Sequence, residues 1–215
     1  MIMGKLRNMT GARRGKGQRG VELVEFALTS LFLLPILLGT IVTGMNLIRA
    51  NQCTHLVRSI GSLYIHGVDF SLSASKDLAV RLARGLNLQN NPASGAGVII
   101  LSQVTFIGDA TCAANNLAGL TCTNRNQYVL TQRLTIGNTS LRTSSVGTPT
   151  AVINPAGMVQ NYVTDPGARA STSFASLWNP QLADGQYVYA VEGFFTGISL
   201  GGVNPSGGMY SRHFF

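Results

Sequence analysis

Between residues 26 and 48 no charged side chain interrupts a run dominated by Leu, Ile, Val, Phe and Met. About 20 apolar residues rising about 1.5 Å each cross a hydrocarbon core of about 30 Å, so the run predicts a spanning helix that Arg49 closes. Pro35 lies mid-run, where it removes one helical hydrogen bond and predicts a kink or a loosened turn. Past Arg49 the apolar positions Leu56, Val57, Ile60, Leu63 and Tyr64 recur at three and four. That period continues the helix outward as an amphipathic stalk to about Ile65. A second helix is predicted over 74–86, with Ser73 or Ser75 as its N-cap and Leu78, Leu82 and Leu86 along one face; Asn90, Asn91, Pro92, Gly95 and Gly97 break it. Strand-like runs follow at 98–107, 128–136 and 186–198, separated by Gly, Pro, Ser and Thr. The expected fold class is α+β: a long N-terminal transmembrane and stalk helix, a second short helix and a small antiparallel sheet.

Residues 138–179 are rich in Ser, Thr, Pro, Gly and Ala with weak periodicity. They read as a long surface loop or an insertion. Their aromatics, Tyr162, Phe174 and Trp178, form either an exposed contact patch or packing for the sheet, the second being the commoner fate. The domain reading is a basic leader over 1–20, the membrane and stalk helix over 21–65, and an outer α+β domain over 66–215.

Charge sharpens this picture. The chain holds sixteen Lys and Arg against eight Asp and Glu, a balance that would ordinarily suggest a nucleic-acid partner. Lys5, Arg7, Arg13, Arg14, Lys16 and Arg19 all precede residue 21, where no acid occurs, and the other ten basic side chains face all eight acids. The basicity is a local tag and no nucleic-acid partner is expected. By the positive-inside rule it places the N-terminus in the cytoplasm and everything after Arg49 outside, with membrane lipid as the surrounding solvent. A cleaved secretory signal begins in the same way. Against it stand the length of the apolar run, the missing small-residue site around 39–50, and Glu22 and Glu25 at the start of the run. Acids at the mouth of an apolar helix are functional suspects; on charge alone, seats in the headgroup layer explain them equally.

Three cysteines occur, with no C-x-x-C pair. Cys112 and Cys122 flank a short polar loop, and in an oxidising compartment a bridge would contribute about 2–3 kcal/mol; two buried thiols are the alternative. Cys53 is left over and expected to pack on the helix.

The stretch Gly17-Gln18-Arg19-Gly20-Val21-Glu22-Leu23-Val24-Glu25-Phe26-Ala27-Leu28 resembles the processing site of type IV prepilins, most closely the TadE-like pseudopilins of tight-adherence (Tad) pilus systems. The family rule is a Gly before the cut and a Glu five residues after it, and Gly20 and Glu25 satisfy it. The resemblance implies cleavage between Gly20 and Val21 by a membrane aspartic prepilin peptidase. It implies further that Glu25, assisted by Glu22, pairs with the α-amino group freed on Val21, its own or a neighbour's, when helices pack. Pairing offsets the cost of burying either charge. The implied partners are the peptidase, other pilins and pseudopilins, and the Tad assembly platform; the implied place is a bacterial inner membrane. Two departures stand: Val21 is not the commonest first residue, and the chain is longer than a major Tad pilin, which points to a minor, TadE-like component. A weaker echo is Tyr187-Val188-Tyr189-Ala190-Val191-Glu192-Gly193-Phe194-Phe195, similar to a late strand of these proteins that carries one acid among apolar residues.

Little else suggests chemistry. Residues 11–16 approach a phosphate loop, but the spacing is one short and Gly17 stands where Ser or Thr is needed. His55, His66 and His213 lack metal-ligand spacing, and Asp69, Asp77, Asp109, Asp165 and Asp184 are scattered. No cofactor, metal or enzymatic activity is expected. The alternative function is a single-pass anchored binding module in which Glu22 and Glu25 are incidental.

Overall fold

The computed structural model describes residues 18–117, 121–177, 182–198 and 207–215, with side chains from Gly20 onward. The leader residues 1–17, the phosphate-loop-like stretch within them and Trp178 lie outside the described residues. The chain divides into two compact units, Met1–Thr43 and Gly44–Phe215.

Helix α1, Gln18–Ile65, runs unbroken through Pro35 for 48 residues. In the first unit three threonines are satisfied internally: the hydroxyls of Thr29, Thr40 and Thr43 donate to the carbonyls of Glu25, Leu37 and Gly39 at 2.7–2.8 Å. Back-bonding of this kind leaves little polarity facing outward.

In the second unit the stalk end of α1 packs on a four-stranded antiparallel sheet of order β2-β1-β3-β4. The strands are β1 Gly97–Ile107, β2 Gln127–Gly137, β3 Tyr187–Phe195 and β4 Met209–Phe214. Residues directly opposite in an antiparallel pair share a face. Register therefore assigns Ile99, Leu101, Leu134, Ile136, Val191 and Phe195 to one face, and all six join Cys53, Leu56, Val57, Ile60 and Tyr64 of α1 in one core. Gly193 lets the helix approach: a Cβ there would run into the Val57 side chain. Of the stalk positions expected to face inward, Leu56, Val57, Ile60 and Tyr64 are buried, and Leu63 packs against the same core partly buried.

The opposite face carries Arg133, Ser102 and Ala190 in one row and Thr135, Ile100, Glu192 and Arg212 in the next. At Gln103/Val104 the β1–β2 register shifts, so that Thr131 is an extra residue in a β-bulge. Below the bulge Val104, Phe106, Tyr128 and Leu130 enter a second core with Val146, Val159, Val163, Ala168 and Phe174. Residues 138–177 are therefore no free loop: they cover this face with irregular chain, a 3-10 turn Pro166–Ala168 and the short helix α4 Thr172–Ala175. Phe174 is fully buried in that core.

Several local expectations are corrected. Helix α2 is Ser73–Leu82, and its N-cap is Leu72, with no side-chain cap. Ser73 already lies within the first turn, and Ser75 deeper still, where neither hydroxyl occupies the capping position. Leu78 and Leu82 are exposed; Ala79 is the buried residue of α2, and Ala83 and Leu86 are buried just past its end. Strand β3 stops at Phe195, and the next residues are redirected by Asn46, whose side chain accepts from Ile198 N at 2.9 Å and donates to Ile198 O at 3.3 Å. Strand β4 and helix α3, Asp109–Ala114, have no periodic signal long enough to be predicted.

Candidate functional site

Gly20, Val21, Glu22, Glu25 and Phe26 stand on the first described turns of α1, all exposed. Glu22 and Glu25 are three apart on one helix and so share a side. Neither carboxylate has an ion-pair partner among the described residues. From Val21 to Leu38 the large apolar side chains are 45–71% exposed, far more contiguous apolar surface than a water-facing monomer presents. The helix is long and apolar enough to cross a membrane.

A second polar constellation sits in the outer unit. Glu192, the acid of β3, is 2% exposed. Its Oε1 accepts from Ser145 N at 2.9 Å, Ser145 Oγ at 2.6 Å and the Tyr210 hydroxyl at 2.6 Å, and its Oε2 accepts from Ser144 Oγ. Burial raises the carboxyl pKa, and the hydrogen bonds from Ser144, Ser145 and Tyr210 outweigh burial, so the group sits below its ordinary value and is ionised at neutral pH. Arg212 Nη1 donates to Ser145 Oγ at 2.8 Å. Arg142 lies over the Tyr210 ring, 3.9 Å from its centroid, a cation–π contact. Arg133 donates through Nη2 to Gly147 O, while its buried Nε has no partner among the described residues. Burial brings the Arg133 pKa down to about 10, against the opposing pull of Glu192.

Cys112 and Cys122 are joined by a disulfide in the second core. Beside them Asp184 caps α3, accepting from Gly108 N at 2.7 Å and Thr111 N at 3.0 Å, and Arg125 pairs with Asp109 at 2.5 Å. Cys53 is a buried thiol between the helix and the sheet, its pKa pushed up to about 11 by burial. His55 is exposed on α1. His66 Nδ1 meets Ser62 O at 2.6 Å, and His213 Nε2 accepts from Arg58 Nε at 3.3 Å. Among the described residues no group of His, Cys, Asp and Glu could hold a metal. No local pattern in the sequence names the partners of Glu192, although an acid inside an apolar strand requires donors; the Ser144-Ser145 pair supplies them. Comparison with protein-family models, with curated proteins and with solved structures finds no match to this chain.

Proposed function

We propose that this chain is a minor pseudopilin or assembly component of a Tad-type pilus, cleaved between Gly20 and Val21 by a prepilin peptidase at a bacterial inner membrane. The observation that carries the reading is the order of parts: Gly20 and Glu25 directly ahead of an exposed apolar helix that continues without a break into a stalk. A freed Val21 amine, with an ordinary pKa near 8, and the Glu25 carboxylate are opposite charges. Packed against a neighbouring helix they fix axial register, since a shifted helix leaves both unpaired in a low-dielectric setting. The exposed band of apolar side chains supplies the surface for lipid and for neighbouring helices.

The deciding experiment is the mature N-terminus in cells that express the matching peptidase. Mass spectrometry should find chains beginning at Val21; intact residues 1–20 would leave the anchored binding module as the better reading. Glu25→Gln should be inserted and cleaved like the wild type yet fail to join the pilus or its platform, with Glu22→Gln milder. Normal piliation by Glu25→Gln would reduce that carboxylate to an interfacial residue.

A further inference from the structure

Along one side of α1 the side chains change character at Arg49. Met45 and Ile48 are 42% and 61% exposed. Gln52, His55 and Ser59 follow them in steps of three and four, and so on the same side, and are polar and exposed. Beside these three and Leu56, the end of α2 and the turn after it bring Leu82, Arg84 and Leu86, and the two walls flank a cavity of about 280 Å³. All of these residues belong to the second unit, Gly44–Phe215. We propose that this cavity seats the headgroup phosphate of an anionic phospholipid, with Arg84 as its countercharge, Gln52 and His55 as neighbouring donors, and Met45 and Ile48 below as the seat of the acyl chains.

Depth puts the polar half of this stripe at the phosphates. A bilayer about 40–45 Å thick around a core of about 30 Å leaves a headgroup layer of about 5–7 Å on each side. A helix climbs about 1.5 Å per residue, so with Arg49 at the edge of the core Gln52 stands about 4.5 Å and His55 about 9 Å above it. Met45 and Ile48 then lie within the core, on the same side and directly beneath. A phospholipid has the same order of parts, an apolar chain under an anionic phosphate. A free phosphate matches only the upper half. The arginine side chain suits the place, because its stem lies on apolar surface such as Leu82 and Leu86 while the guanidinium reaches the polar layer.

Charge gives the sign of the lipid. Arg81 and Arg84 together line an adjoining hollow, and no acid lines either cavity. Neither arginine has an ion pair among the described residues. Lys76 and Asp77, earlier on α2, offset each other, and Asp77 accepts from Asn90 Nδ2 at 2.9 Å. The other carboxylates of the outer unit are remote. Asn46 bonds Ile198, so the Gly97 and Phe195 end of the sheet is the one beside the boundary. Asp109 and Asp184 lie past Ile107 at the far end, Asp165 is beside Asn124 near that end, Asp69 follows the last turn of α1, and Glu192 is buried on the opposite face. Arg49, Arg81 and Arg84 are thus left without balancing acids next to the headgroup layer, where a basic residue favours anionic lipid. The proposal rests on α1 crossing a membrane, and not on cleavage or on a pilus.

The test places the full chain in nanodiscs of phosphatidylglycerol and phosphatidylcholine in equal amounts and counts the lipids that stay on it in native mass spectrometry. The wild type should retain phosphatidylglycerol in excess. Arg84→Gln should lower the ratio of the two retained lipids about fivefold, while Arg84→Lys keeps most of it. Arg125→Gln removes the same charge at the far end of the sheet and should leave the ratio unchanged. The basic leader is common to every variant and cancels in the comparison. A wild type without the preference, an Arg84→Gln ratio equal to the wild type's, or an equal fall in Arg125→Gln would each overturn the proposal. Loss of the preference in about 10 mM glycerol phosphate but not in sodium chloride of equal ionic strength would mark a site for soluble phosphate and overturn it too. Gel filtration checks insertion separately: a chain that does not travel with the nanodiscs overturns the membrane reading and this proposal with it, whereas an inserted chain indifferent to lipid charge overturns this proposal alone.

Discussion

The face of the sheet turned to α1 and the face turned to residues 138–177 belong to the same four strands, yet different physics holds them. On the first, Ile99, Leu101, Val191 and Phe195 meet an apolar helix stripe, and hydrogen bonds between side chains enter only toward one end, where the Tyr64 hydroxyl donates to Gln132 Oε1 at 2.7 Å and Gln103 Nε2 to the Tyr189 hydroxyl at 3.0 Å. On the second, an ionised Glu192 is buried at the centre, tied to the covering chain by the hydroxyls of Ser144 and Ser145 and to β4 by that of Tyr210. The apolar face is non-directional and tolerates small shifts. The polar face demands particular donors at particular positions, because a buried carboxylate that loses them pays for its desolvation unaided. Irregular chain with no periodic pattern is positioned by hydrogen bonds where a helix would be positioned by area.

That contrast can be broken at three points, in falling order of effect. Leu101→Ala on the helix face should cost about 3 kcal/mol in urea unfolding, because it leaves a void in a fully buried site. Glu192→Gln should cost about 2 kcal/mol, the scale of hydrogen bonds to a charged acceptor, and should also change the response to acid. The Glu192 pKa is depressed in the folded state, so its contribution is complete above the unfolded value of about 4.3 and is lost as pH falls through the folded value. The wild-type urea midpoint should therefore drop below about pH 4.3 more steeply than that of Glu192→Gln. Asp184 is depressed too, but it is common to both proteins and cancels in the difference. Tyr210→Phe removes a single 2.6 Å bond to Glu192 and should cost about 1 kcal/mol; a cost as large as that of Leu101→Ala would mean that the two faces are not held differently after all.

The same contrast explains what could be read in the chain beforehand. The helix face was legible: the three-four spacing of Leu56, Val57, Ile60 and Tyr64 marks the stripe that is buried, and the strand-like runs 98–107 and 128–136 mark two of its strands. The covering segment was not, since its order comes from contacts made far along the chain. Ser144 and Ser145 bond Glu192 47–48 residues away, and Asn124 holds the carbonyls of Tyr162 and Asp165. No local window contains both partners. Helix α2 differs for a related reason: Leu78 and Leu82 look like the buried stripe, while the buried position is Ala79. Of the first turns of α1, the sequence supplied the motif and the structure adds their exposure.

One inserted residue has a reach beyond its own position. In β2 four of the five apolar side chains, Tyr128, Leu130, Leu134 and Ile136, fall on even numbers, which in an uninterrupted strand would send all four to a single side. Thr131 resets the count, so that Leu134 and Ile136 serve the helix core while Tyr128 and Leu130 serve the other. It works as a change of phase, by which one ordinary alternating strand supplies two separate hydrophobic layers. Its Oγ1 accordingly donates to Gln103 Oε1 at 2.9 Å, on the strand across the irregularity. The strand is therefore far more exposed to a deletion than to a substitution: removing Thr131 would rotate half of β2 out of one layer and into the other without altering a single remaining side chain.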